Sequence, residues 1–179
     1  MGTIRDEIRQ TRPFASAADE AVVTLLGTAD RVRTSLAGVV EAHGITLQQY
    51  NVLRILRGAG AEGLPTLDIA DRMIEHSPGV TRLLDRLEAQ RLVRRVRCPR
   101  DRRQVLCHAT PLALRLLAPL DATVAQAGQH AVAALDPAGT AELVRLLDAV
   151  RASAASPIAP DGQRRSRKPV KRNKKENLA

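Results

Sequence analysis

Between Arg82 and Arg103 the sequence places nine arginines (Arg82, Arg86, Arg91, Arg94, Arg95, Arg97, Arg100, Arg102 and Arg103) against three acids, Asp85, Glu88 and Asp101. A planar guanidinium donates two parallel hydrogen bonds to a phosphate or to the acceptor edge of guanine, so a run this dense is suited to gripping a polyanion. The spacing sorts these side chains. Val80, Leu83, Leu84 and Leu87 recur at i, i+3, i+4 and i+7, which is one core-facing stripe of a helix, whereas Pro78, Arg82 and Arg86 recur at i, i+4 and i+8 on another side. One face packs and another is basic. Ser77 is placed to cap this helix, with Pro78 at the first helical position, where its missing N–H costs nothing; the helix is expected to run to about Arg91.

Positioning these arginines falls to the flanking elements. Residues 16–43 read as one long helix with a narrow apolar seam of Val22, Leu25, Ala29, Val32, Leu36 and Val39, suited to packing against another helix, including one from a second subunit; Gly44 ends it. Thr46 and Gln49 form a capping box for a second helix with Tyr50, Leu53 and Leu56 facing inward, ending in the glycine-rich stretch from Gly58 to Gly63. A short helix over about 66–73 should bury Leu67, Ile69, Ala70 and Met73, and only a tight turn separates it from the basic helix. Residues 92–97 and 105–110, two short segments with β-branched residues, flank a loop containing Arg100, Arg102 and Arg103 and read as a hairpin with a basic tip. The helical pattern returns at Pro111, with a kink or break expected at Pro119, and a last helix over about 137–153 carries Leu143, Leu146, Leu147 and Val150 on one side.

Composition narrows the functions this layout can serve. Phe14 and Tyr50 are the sole aromatic residues, so platforms that stack single-stranded bases on exposed rings are excluded as a class. The chain of 179 residues carries a formal charge of +9, much of it after residue 160, where all four lysines (Lys168, Lys171, Lys174, Lys175) lie. Residues 155–179 accordingly read as a disordered basic tail, either solubilising or an accessory phosphate binder, and residues 1–15 as a flexible N-terminus. With 44% hydrophobic residues and no apolar run of membrane-spanning length, a soluble, cytoplasmic protein with no membrane partner is expected. The scattered histidines His43, His76, His108 and His130 show no metal-ligand spacing, and no phosphate loop or nucleophile motif is present, so neither a metal, a cofactor nor an enzymatic activity is expected. A symmetric hairpin would set Cys98 opposite Cys107, within disulfide reach, and a slip of one residue would remove that pairing.

Helix, tight turn, basic helix and basic hairpin, in that order, match a winged helix-turn-helix, in which one helix enters the major groove and the wing reaches the minor groove. The runs Pro65-Thr66-Leu67-Asp68-Ile69-Ala70, Ser77-Pro78-Gly79-Val80-Thr81-Arg82-Leu83-Leu84-Asp85-Arg86-Leu87-Glu88, Leu92-Val93-Arg94-Arg95 and Asp101-Arg102-Arg103-Gln104-Val105-Leu106 resemble the MarR family of transcriptional regulators over about residues 16–153. The resemblance implies a homodimer built from the first and last helices, a recognition helix starting near Ser77, and a wing whose Asp101 and Arg103 pair at the tip while Arg102 enters the minor groove. It also implies a small, aromatic or anionic effector bound in a cleft bordered by the first two helices and the helix after the wing. The sequence departs from the family at Arg91, where glycine commonly precedes Leu92, at Ile74-Glu75 in the turn, and at Ala109-Thr110-Pro111 after the wing.

The expected fold is thus mostly α with a small β-hairpin wing. A DNA-binding lobe spans about 46–110, within a domain over 16–154, and dimerisation helices span about 16–43 and 111–153. The expected function is a homodimeric repressor of an inverted-repeat operator in double-stranded DNA, released by an effector, with Ser77, Pro78, Gly79, Thr81, Arg82, Arg86, Arg95, Arg100, Arg102 and Arg103 on the DNA face and Asp101 stabilising the wing. The alternative is a non-specific architectural DNA binder that uses the same basic lobe and the tail.

Overall fold

The computed structural model describes residues 2–75, 79–98, 101 and 104–155. Their elements are α1 (Ile4–Glu7), α2 (Ala17–Glu41), α3 (Leu47–Ala59), a 3-10 turn (Gly60–Glu62), β1 (Leu64–Pro65), α4 (Thr66–Arg72), α5 (Val80–Ala89), β2 (Val93–Arg97), β3 (Val105–Ala109), α6 (Pro111–Ala131) and α7 (Pro137–Ala154). Contacts divide the chain into two units, Met1–Ala134 and Leu135–Ala179. Among the described residues no helix is long and apolar enough to cross a membrane.

In the first unit, α2 begins where the Ser16 hydroxyl accepts the Asp19 N–H at 3.1 Å, and the chain turns away after Glu41 through Gly44, whose φ of +75° is open to glycine at little cost. The capping box at α3 is formed in both directions: Gln49 N–H donates to Thr46 Oγ1 at 3.2 Å and Thr46 N–H to Gln49 Oε1 at 2.9 Å. Val52, Leu53 and Leu56 of α3 are fully buried, together with Ile69 of α4, Leu84 and Leu87 of α5, Cys107 of β3, and Leu117 and Leu120 of α6. This single cluster holds α3, α4, α5, β3 and α6 together, and truncating one of its leucines to Ala should cost about 2–5 kcal/mol. The α6 helix runs through Pro119 without a break.

The sheet is antiparallel with order β1-β3-β2, so the hairpin gains a third, two-residue strand that its sequence does not announce. Gly63 feeds β1 with φ +66°; a Cβ there would meet the Cys107 carbonyl oxygen at 2.7 Å, so glycine is required both for the backbone angle and for the close approach.

Four expectations need correction. Residues 1–15 include α1, which contacts α2 and is tied to it by Arg31 and Glu7 at 2.9 Å. Leu67 is 77% exposed, because α4 is short and turns only Ile69 and the following Met73 fully inward. The basic helix has Gly79 at its N-cap and regular turns only from Val80 to Ala89. Lastly, β2 and β3 pair Arg95 with Cys107 and Arg97 with Val105, and Cys98 N–H donates to the Gln104 carbonyl. Cys98 and Cys107 are therefore three positions out of register and on opposite faces of the hairpin, and both are free thiols.

In the second unit α7 starts at Asp136, whose carboxylate accepts the Gly139 N–H at 2.7 Å, with Pro137 in the first turn. None of its residues is buried; Val144, Leu146 and Val150 are about half exposed.

Candidate nucleic-acid interface

The apolar stripe of α5 is buried as its spacing requires, with Val80, Leu83, Leu84 and Leu87 all at or below 7% exposure. That orientation turns Thr81, Arg82, Asp85 and Arg86 outward. Among the described residues neither Arg82 nor Arg86 is held in an ion pair, so both guanidiniums are available to a ligand. Gly79 sits at the head of the same helix. Ser77, Pro78, Arg100, Arg102 and Arg103 lie outside the described residues, and with them the pairing expected between Asp101 and Arg103. Asp101 occupies the hairpin tip, where its carbonyl accepts the Gln104 N–H at 3.0 Å.

Arg95 does not point outward with the others. Its Nη1 donates to Asp85 Oδ1 at 2.6 Å and to Glu88 Oε2 at 3.2 Å, and its Nη2 reaches the Thr81 carbonyl at 3.4 Å. The residue is on β2 facing α5, opposite Cys107 in the register, and its side chain is only 23% exposed. Burial works against its charge, but the hydrogen bonds and the two carboxylates outweigh it and hold the guanidinium more firmly protonated than usual. Arg95, expected on the DNA face, thus has its guanidinium engaged by three acceptors on α5.

The far end of α5 closes by a left-handed residue. Arg91 has φ +59°, its N–H donates to the Glu88 carbonyl and the Leu92 N–H to the Leu87 carbonyl, both at 2.8 Å, which is the paired hydrogen-bond pattern of a Schellman motif with arginine where glycine is usual. Thr110 fastens this corner: its Oγ1 donates to the Arg91 carbonyl at 2.8 Å and its N–H to the Leu92 carbonyl at 3.0 Å, while the same Oγ1 accepts the Ala113 N–H that starts α6.

Two polar ties that pattern reading missed hold the elements around α3. Tyr50 donates to Asp121 of α6 at 2.8 Å, Arg57 pairs with the other oxygen of that carboxylate, and Arg54 lies over the Tyr50 ring at 5.8 Å. Burial, then the bond to Asp121, pushes the Tyr50 hydroxyl up to about 12. Burial alone would raise Asp121, but the bonds from Arg57 and Tyr50 prevail and hold it below the usual carboxylate range. Glu75, in the turn before α5, accepts from Gln48 at 3.0 Å and from Arg33 of α2 at 2.8 Å, and those two bonds, in that order, lower its pKa. On β3, His108 is 8% exposed; burial and then the neighbouring charge of Arg94 lower its pKa. Among the described residues no group of three or more His, Cys, Asp or Glu could hold a metal ion.

A sequence model of the MarR family matches residues 43–104, the stretch from α3 to the wing. The crystal structure of a MarR transcription factor from Planctomyces limnophilus is 37% identical, with a TM-score of 0.59, over 76% of this chain and 99% of that one. The chain belongs to the MarR family. MarR-family folds recur at lower identity in the MepR–DNA complex of S. aureus (22% identical, TM-score 0.67, 72% of this chain and 94% of that one). They recur also in BpsR of Bordetella bronchiseptica, whose DNA binding is regulated by 6-hydroxynicotinic acid (25% identical, TM-score 0.63, 71% and 95%). No curated protein matches the chain. The MarR assignment makes α4 and α5 the helix-turn-helix and β2–β3 the wing of a transcription regulator, and its family and structural neighbours are regulators rather than enzymes.

Proposed function

We propose that this MarR-family chain is a sequence-specific double-stranded DNA-binding repressor that acts as a homodimer on an inverted repeat and is released by a small aromatic or anionic effector. The observation that carries this reading is the outward, unpaired pair Arg82 and Arg86 on a helix whose opposite face is locked into the core. At i and i+4 they lie one above the other and present two forks to a major-groove edge. The recognition of DNA by MepR, a protein of the same fold, supports the orientation.

Dimerisation is supported by α2, where Val22 of the seam and the neighbouring Leu26 are 54% and 65% exposed while Leu25, Val32 and Leu36 are partly covered, and by the exposed apolar side chains of α7. Twofold symmetry then sets two copies of α5 about 10 base pairs apart on one side of the duplex. Effector response is supported by the regulation of BpsR, a protein of the same fold.

Selection from a random duplex library tests the reading. Enrichment of an inverted repeat is expected, with an affinity for it that falls by several decades between about 50 and 200 mM salt. Equal affinity for selected and random duplexes would favour the architectural alternative, and no binding at low salt would reject both.

A further inference from the structure

The recognition helix carries an electrostatic conflict. Asp85 lies between Arg82 and Arg86 in sequence and, like them, is exposed, while Glu88 follows one turn later. Two carboxylates so near a phosphate backbone would repel it at close range. Arg95 resolves the conflict by meeting both acids with a single Nη1 and the Thr81 carbonyl with Nη2, so it spans α5 from its first turn to its last. Its backbone belongs to β2, four residues before Pro99 on the way into the hairpin loop, so the same contacts fix the wing against the helix.

We propose that Arg95 is a positioning residue for DNA recognition: it sets the angle between wing and recognition helix and neutralises Asp85 and Glu88, without itself touching a phosphate. The inference rests on the proposed DNA-binding function and adds to it a division of labour among the arginines. Arg82 and Arg86 contact the duplex; Arg95 determines where they and the wing stand. Glycine or alanine at position 95 would leave the stripe of Val80, Leu83, Leu84 and Leu87 in place but free the helix and hairpin to rotate against each other. A lysine would keep the charge yet offer no planar fork to span Asp85, Glu88 and Thr81.

The test compares the duplex selected by the parent protein with a random duplex of equal length, using the full chain and variants verified as folded by circular dichroism. Arg95→Ala should weaken binding to the selected duplex about tenfold to a hundredfold and binding to the random duplex less, because the set of the wing against the helix is lost as well as a charge. If Arg95→Lys, which keeps the charge, bound both duplexes as the parent does, charge alone would account for the role and the proposal would be overturned. The second variant, Asp85→Asn/Glu88→Gln, makes the chain two charges more positive and removes the acids from their brace. A bare charge effect raises affinity for both duplexes alike, which would also overturn it. The positioning role raises affinity for the random duplex and lowers the ratio of selected to random binding. Arg95→Lys should keep the salt slope and lose most of that ratio. If the parent enriches no sequence, the operator-binding reading fails first; if it does and these variants bind as the parent does, the positioning role alone falls.

Discussion

Replacing Arg91 with glycine should make the protein more stable, although it deletes a side chain and removes a charge. Arg91 sits at φ +59° because the Schellman closure of α5 demands a left-handed residue there, and an L-residue with a Cβ is strained in that region by about 1–2 kcal/mol. Its side chain is exposed, and on its own part the bonds to the Glu88 carbonyl and from the Thr110 hydroxyl use only the backbone N–H and carbonyl of residue 91, so Arg91→Gly keeps them all. Against the relief stands the greater freedom of glycine in the unfolded chain, about 0.5–1 kcal/mol. The net gain is about 0.5–1 kcal/mol, and at ~2–4 °C per kcal/mol for a chain of this size the midpoint of thermal unfolding rises by about 1–4 °C. Urea and thermal unfolding at one fixed protein concentration, which removes the effect of self-association, measure it. Arg91→Ala is the control: it removes the same charge and keeps the Cβ, and should not be stabilised. If glycine is no better than alanine, the strain argument is wrong.

Other expected outcomes follow from the polar ties. Tyr50→Phe removes the donor to Asp121 and should cost about 1–2 kcal/mol in urea unfolding. Because the Tyr50 pKa is raised in the fold, its contribution is whole below pH 10 and lost as pH climbs toward 12, so the alkaline loss of stability should be smaller in Tyr50→Phe. The lowered pKa of His108 has the opposite sense: the unfolded chain takes up its proton first, so stability should decline as pH falls below about 6.5, and His108→Gln should flatten that decline in melts across pH 5–7. Thiol labelling of the native protein should modify Cys98, which is partly exposed, and spare the buried Cys107, and mild oxidation should give no intramolecular disulfide by non-reducing mass analysis.

What the sequence made legible was whatever repeats at short range. The stripe of α5 and the capping box at Thr46 depend on neighbours within two turns, and both stand as their spacing implied. The register of the hairpin did not follow from symmetry about Arg102 and Arg103, because a loop's conformation decides how many residues it consumes; the observed pairing is centred on Asp101 and separates the two cysteines. A strand of two residues, Leu64–Pro65, is too short to show any alternation. Arg95 looks in sequence like every other arginine of the basic run, and only the folding of β2 onto α5 reveals that its partners are Asp85 and Glu88. The tie of Tyr50 and Arg57 to Asp121 spans more than sixty residues, and that of Arg33 to Glu75 more than forty, beyond the reach of any local pattern.

Thr110 joins three pieces of chain at one residue: the tail of α5, the end of the hairpin and the first turn of α6. A swing of α6 therefore has no slack to absorb it at this knot. To move α6 away from this corner would mean breaking the hydrogen bonds to Arg91 and Leu92 or carrying the end of α5 along.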